Sequence, residues 1–138
     1  MIAYIDSSVV LRLVLNQPGQ LAEWKKIVTA VTCGLLEVEC LRTLDRLKVL
    51  GHITAEDVAR RRETVYRFLE AMEIVDLSAS VLRRAGQSIS VPLGSLDAIH
   101  LASAEAWREA RGMEPVIATH DRQLGLAARA SGFRITGL

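Results

Sequence analysis

Several carboxylates in this chain stand where acids are not needed for solubility. Asp6 directly follows the apolar run 2–5, and Asp121 comes two residues after Thr119, which ends the apolar run 115–119. If both runs are central strands of one sheet, the two carboxylates share its carboxyl edge. An acid at a helix start is also a cap, which stabilises by about 0.5–2 kcal/mol. Either residue alone therefore has a structural explanation, and the matching placement is what points to a site. Asp97 falls in the first turn of a helix, among Leu96, Ala98 and Ile99. It could offset the helix dipole there, but Ser95 already reads as the cap. A carboxylate in so apolar a stretch needs a partner or a cation. Glu37 and Glu39, two residues apart, point about 200° from each other on a helix. Both flank the apolar stripe of Leu35, Val38, Leu41 and Leu44, so spacing does not choose between them. Arg42, three residues after Glu39, is placed to pair with it.

Acids gathered from separate elements raise one another's pKa and destabilise the fold. A bound divalent cation removes that cost. Oxygen ligands without clustered cysteine or histidine call for Mg2+ or Mn2+ rather than zinc. A cation held by carboxylates suits phosphoryl chemistry, because it activates water and stabilises charge in an in-line displacement at a phosphodiester. Of the 17 basic residues 14 are arginine, whose planar fork suits phosphate. Arg12, Arg42 and Arg122 lie nearest the acids in sequence, whereas the run Arg60, Arg61, Arg62 reads as a solvated helix face. His100, three residues after Asp97, reads equally as a hydrogen-bond partner of the site or as a histidine at the core edge. His120, beside Asp121, reads as exposed. Neither is taken as a metal ligand.

The whole composition narrows the field. A chain of 138 residues, 50% apolar, fits one domain and excludes a disordered tail. No apolar run approaches the roughly 18–20 residues of a membrane helix. The first six residues carry no basic region and end at a carboxylate, which is unlike a secretory signal. The default location is therefore cytoplasmic. Cys33 and Cys40 are too few for a disulfide framework and read as reduced, packed side chains. A net charge of +1 argues against coating nucleic acid by bulk charge, and six aromatic residues are too few for a base-stacking platform. Without Asp6, Asp97, Asp121 and one of Glu37 and Glu39, 12 acids face 17 basic residues, a balance of +5. A nucleic acid held locally at a metal is compatible with that balance.

The elements that must position these residues alternate along the chain. Short apolar strands are expected at 2–5, 30–32, 74–77, 115–119 and 133–136. Ser7 or Ser8 is expected to cap a first helix carrying Val9, Val10, Leu13 and Val14, which Asn16 to Gly19 then breaks. Leu21, Trp24, Ile27 and Val28 have the spacing of a second helix. Longer helices follow over 35–50, stopped by Gly51, and from Thr54, a cap with acids behind it. Further helices are expected from Ser78 to Arg84, from Leu96 to about Arg111, and from Asp121 to Ala130. Strand–helix alternation with about five short strands predicts a parallel sheet covered by helices on both faces. Sites in such sheets lie beyond the carboxyl ends of the strands.

With these residues in place, the chain resembles a PIN-domain ribonuclease, more narrowly a VapC-type toxin of a toxin–antitoxin pair. The resemblance runs end to end, as a single PIN domain over residues 1–138. It rests on Tyr4-Ile5-Asp6-Ser7-Ser8, Val38-Glu39-Cys40-Leu41-Arg42, Leu96-Asp97-Ala98-Ile99-His100-Leu101-Ala102 and Ala118-Thr119-His120-Asp121-Arg122-Gln123-Leu124, with Ala127-Ala128 and Gly132-Phe133 after them. The family implies a PIN-like three-layer α/β/α sandwich and Mg2+- or Mn2+-dependent RNA cleavage by the acidic quartet Asp6, Glu39, Asp97 and Asp121, which are both its catalytic residues and its metal ligands. A glutamate followed three residues later by arginine is the family pattern, and it selects Glu39 over Glu37. Ser8 and Thr119 match hydroxyl positions that support the acids or a water on the cation, and Arg42 is a third supporting residue. Cys33 departs from the serine or threonine of many relatives. The resemblance further implies a homodimer and a VapB-like antitoxin that covers the site.

Three other readings are weaker. A phosphoacceptor receiver needs a lysine near the last strands, but Lys25, Lys26 and Lys48 all lie in the first half. A haloacid-type phosphatase needs a second aspartate two residues after the first, where Ser8 stands. A non-catalytic PIN module, acting as a protein- or RNA-binding scaffold, is the main alternative, and it would be expected to lose members of the quartet.

Overall fold

The computed structural model describes residues 1–138. Five strands, β1 (Ile2–Ile5), β2 (Thr29–Cys33), β3 (Met72–Val75), β4 (Val116–Ala118) and β5 (Ile135–Thr136), form one sheet in the order β3-β2-β1-β4-β5. All four pairings are parallel. Six helices accompany it: α1 (Ser7–Val14), α2 (Leu35–Val49), α3 (Ala55–Glu70), α4 (Ala79–Ala85), α5 (Ser95–Arg111) and α6 (Arg122–Ala130). The architecture is the expected α/β/α sandwich.

Burial on both faces explains why the strands lack polar alternation. Ala3 and Ile5 of β1 pack with Val9, Val10, Leu36, Leu44 and Val65 of the first three helices. Tyr4, between them in sequence, points to the other face and joins Leu101, Trp107, Ile117, Leu124 and Phe133. No helix is long and apolar enough to cross a membrane.

The chain runs outward from β1 through β2 to β3, then returns to place β4 on the other side of β1. Connections leave β1 and β4 in opposite directions, so a crevice opens beyond their carboxyl ends, where sites in such sheets form.

Several local expectations are corrected. Residues 21–28 form only a short 3-10 turn, Trp24–Lys26, and Val28 is 85% exposed. Leu21 is nevertheless buried, and Trp24 packs edge-on against Phe68 at 5.4 Å, so the apolar spacing served packing without a helix. The buried face of α2 is Leu36, Cys40 and Leu44, not the stripe through Leu35 and Val38; Val38 is 55% exposed. Packing of α2 against α1 and α3 sets this phase. Strand β3 begins and ends two residues earlier than expected. Thr54 does cap α3, in a reciprocal capping box with Asp57. Neither Ser7 nor Ser8 caps α1, whose N-cap is Asp6, and Gly94 rather than Ser95 is the N-cap of α5.

Candidate active site

Asp6 leaves β1 at the sheet's carboxyl edge and is 4% exposed. It occupies the N-cap position of α1 in extended backbone, yet its carboxylate makes no cap bond. Instead it accepts three hydroxyls: Ser8 Oγ at 2.5 Å and Thr119 Oγ1 at 2.8 Å on Oδ2, and Ser7 Oγ at 3.4 Å on Oδ1. A buried carboxylate is tolerated only when its lone pairs are met in this way.

Thr119 spans the crevice. It is fully buried at the end of β4, donates to Asp6, and accepts the backbone N–H of Asp121 at 2.9 Å. Ser8 has the same dual role, donating to Asp6 and accepting the His120 N–H at 2.9 Å. The two hydroxyls lace the turn after β4 to the turn after β1. Asp121 caps α6 through Oδ1, which accepts the Leu124 N–H at 2.8 Å. Capping and a site role are therefore compatible here, because the second oxygen makes no protein hydrogen bond. His120 is half-buried rather than exposed, and its Nδ1–H donates to the Gly137 carbonyl at 2.6 Å.

Glu39 projects from α2 toward α5. Its partner is not Arg42, which pairs with Asp45 at 3.2 Å, but His100. His100 Nε2 donates to Glu39 Oε2 at 2.7 Å and lies 3.7 Å from Asp6 Oδ1. Tyr4 Oη and Cys33 Sγ stand at 3.1 and 3.7 Å from Nδ1 on the other side of the ring. Burial alone would lower the pKa of His100. Hydrogen bonds to Cys33 and Glu39 and the charge of Asp6 outweigh it and raise the value to about 10. Both cysteines are free, and they sit on different elements, β2 and α2.

Asp97 lies one turn before His100 on α5. Burial, followed by the charges of Asp121, Asp6 and Glu39, raises its pKa to about 6, against the opposing effect of His100. Asp97 thus feels the charges of the other three acids, but neither it nor Asp121 falls within the closest group of possible donors. Asp6, Glu39 and His100 each offer an atom within 4.8 Å of the other two. The two carboxylates at that spacing, with the raised proton affinity of Asp97 beside them, are a donor set that fits a divalent cation.

His100 is the member that sequence reasoning left undecided. Its signal was the three-residue spacing from Asp97, which puts both on one face of α5. Among the arginines, Arg12 is tied to the carbonyls of Pro18 and Gly19, and Arg61 to that of Val14 at the end of α1, so neither is free. Arg42 and Arg46 line a groove of about 330 Å³ beside Glu39, with Leu11, Leu35, Val38 and Leu96. Arg122 is exposed at the start of α6.

A parallel α/β sandwich with acids gathered at the switch point of its sheet defines the class of protein. The PIN-domain family model matches residues 3–130, and the chain belongs to that family. Three solved structures share the fold. VapBC2 from Rickettsia felis, bound to a DNA fragment from its promoter, is 13% identical with a TM-score of 0.67, covering 98% of this chain and 97% of that one. VapBC-5 from Mycobacterium tuberculosis, of the VapBC family of toxin–antitoxin systems, is 19% identical with a TM-score of 0.58, covering 99% and 98%. PAE2754 from Pyrobaculum aerophilum is 21% identical with a TM-score of 0.62, covering 97% and 83%. No curated protein matches in sequence.

Proposed function

We propose that this chain is a metal-dependent endoribonuclease, the toxin of a VapBC-type pair, restrained by a VapB-like antitoxin and acting as a homodimer. The observation that carries the reading is the buried Asp6 carboxylate, laced to the turn after β4 through Thr119 and within one cation's reach of the Glu39 carboxylate. PIN domains are generally nucleases, and two of the structures sharing this fold are VapBC assemblies.

Asp6 and Asp97 would hold the cation most directly, with Glu39 and Asp121 completing its surroundings or orienting water. Mg2+ or Mn2+, when bound, lowers the pKa of water and stabilises charge on the phosphodiester oxygens. The protein's own contribution is positional. Ser8 and Thr119 fix the Asp6 carboxylate, the cap on α6 fixes Asp121, and Arg42 and Arg46 line the groove by which a phosphodiester approaches Glu39. In-line attack of water would leave a 5′-phosphate and a 3′-hydroxyl.

Asp6→Asn keeps the size of the side chain and removes its charge. The purified variant is expected to lose RNA cleavage while keeping the wild-type circular dichroism spectrum, and expression of the wild type alone is expected to arrest growth. Full cleavage by Asp6→Asn refutes the assignment of the site. Cleavage unchanged by a chelator refutes the metal, and no arrest or cleavage by either form favours the binding scaffold.

A further inference from the structure

Glu39 makes one side-chain hydrogen bond in the whole structure, and the donor is an imidazole with 1% exposure. The arrangement is unlike a histidine packed for its bulk. Its ring stands edge-on to Tyr4, with centroids 5.9 Å apart at 78°. One nitrogen faces the core through Tyr4 and Cys33, and the other faces two carboxylates. We infer that His100 is a positioning residue of the cation site: Tyr4 fixes its ring, and its Nε2–H holds Glu39 beside Asp6 so that both acids can address one cation. The inference rests on the cation-dependent reading above.

The direction of the hydrogen bond separates this role from direct ligation. An ionised carboxylate only accepts, so at 2.7 Å from Glu39 Oε2 the proton is on Nε2. That nitrogen therefore has no lone pair for a metal, while Oε1 of Glu39 remains available. Nε2 carries its proton whether Nδ1 accepts from Tyr4 or donates toward Tyr4 and Cys33. Glu39 needs such a holder. It comes from α2, whereas Asp6 and Asp97 come from β1 and α5, and its neighbour Arg42 is turned to Asp45. Asp97 and His100 share one face of α5, so a single turn supplies an acid to the site and the clamp on a second acid. Partners that orient ligands in this way commonly change metal affinity about 10–100-fold when removed.

The test is a Mn2+-binding cycle by calorimetry on the purified full chain, with no reliance on cleavage. His100→Leu in a wild-type background is expected to weaken Mn2+ binding about 10–100-fold. In a Glu39→Gln background the same change is expected to cost less than about threefold, because the effect of His100 runs through the Glu39 carboxylate. His100→Gln retains an N–H donor and is expected to recover part of the loss. Tyr4→Phe is expected to lose a smaller part by freeing the ring. If His100→Leu fails to fold, His100→Gln and Tyr4→Phe run through the same cycle. Equal Mn2+ affinity of wild type and all His100 variants overturns the inference, as does an equal loss in both backgrounds. A directly bonded nitrogen in the pulsed EPR spectrum of bound Mn2+ also overturns it, by making His100 a ligand. If the wild type itself binds no Mn2+, the parent reading falls and takes the inference with it.

Discussion

Thr119→Val offers a clean perturbation of the crevice, because valine reproduces the shape of threonine while replacing its hydroxyl with a methyl. The hydroxyl has two partners. It donates to the buried Asp6 carboxylate at 2.8 Å and accepts the Asp121 N–H at 2.9 Å. A hydrogen bond to a charged group contributes about 1.5–3 kcal/mol, and an N–H left without an acceptor costs about 1–3 kcal/mol. Ser8 and Ser7 still donate to Asp6 and soften the first loss, so the variant should be destabilised by about 2–4 kcal/mol. For a domain of this size about 3 °C of Tm accompanies each kcal/mol, giving a drop of about 6–12 °C. Thr119→Ser is the control, because it keeps the hydroxyl and loses only a methyl, at a cost of about 1 kcal/mol. Thermal melts followed by circular dichroism in chelator would rank wild type above serine and serine above valine. If valine melts at or above serine, Thr119 contributes only bulk, and the lacing of β4 to β1 through its hydroxyl is wrong.

Two further expectations concern the same crevice. Gly137 has φ +101°, and a Cβ there would lie 2.5 Å from the Thr119 carbonyl oxygen, so Gly137→Ala is expected to cost about 1–3 kcal/mol and to speed amide exchange in β4 and β5; an unchanged melting curve would count against it. In metal-free protein the Asp97 carboxyl is expected to titrate near pH 6 by carbon NMR, raised by burial and by the charges of Asp121, Asp6 and Glu39. Its folded pKa lies above the unfolded value of 3.8, so ionising it opposes folding, and metal-free stability should fall as pH rises from about 4 to about 6. Saturating Mg2+ should move the midpoint down, and a midpoint near 4 without metal would refute the crowding of charge.

Much of this was legible in the order of residues. Buried parallel strands announce themselves as short unalternating apolar runs, and Asp6 and Asp121 stood out because each follows one. The parts that were not legible depend on residues far apart in the chain. A serine at a helix start can cap the local backbone or donate to a carboxylate, and Ser8 does the latter because β4 brings Thr119 and His120 against it. Along α2 both the 35–38–41 and the 36–40–44 stripes are apolar, and only packing against α1 and α3 selects the second. His100 was ambiguous for the same reason, since its neighbours Tyr4, Cys33 and Glu39 lie 61 to 96 residues away. Arg42 had two acids within one helical turn, and tertiary contact of Glu39 with α5 left it to Asp45.

The strand order also sets a schedule. β1 is made first, but its neighbour β4 comes more than a hundred residues later, and Asp6 N–H is met by the Ala118 carbonyl at 3.0 Å. Until that stretch has left the ribosome, Asp6 lacks Thr119, and Asp97 and Asp121 are absent or unplaced. A growing chain therefore carries no assembled cation site, however much of β1 to β3 has already paired. If the chain cuts RNA, the translating message beside it is spared until β4 and α6 have emerged.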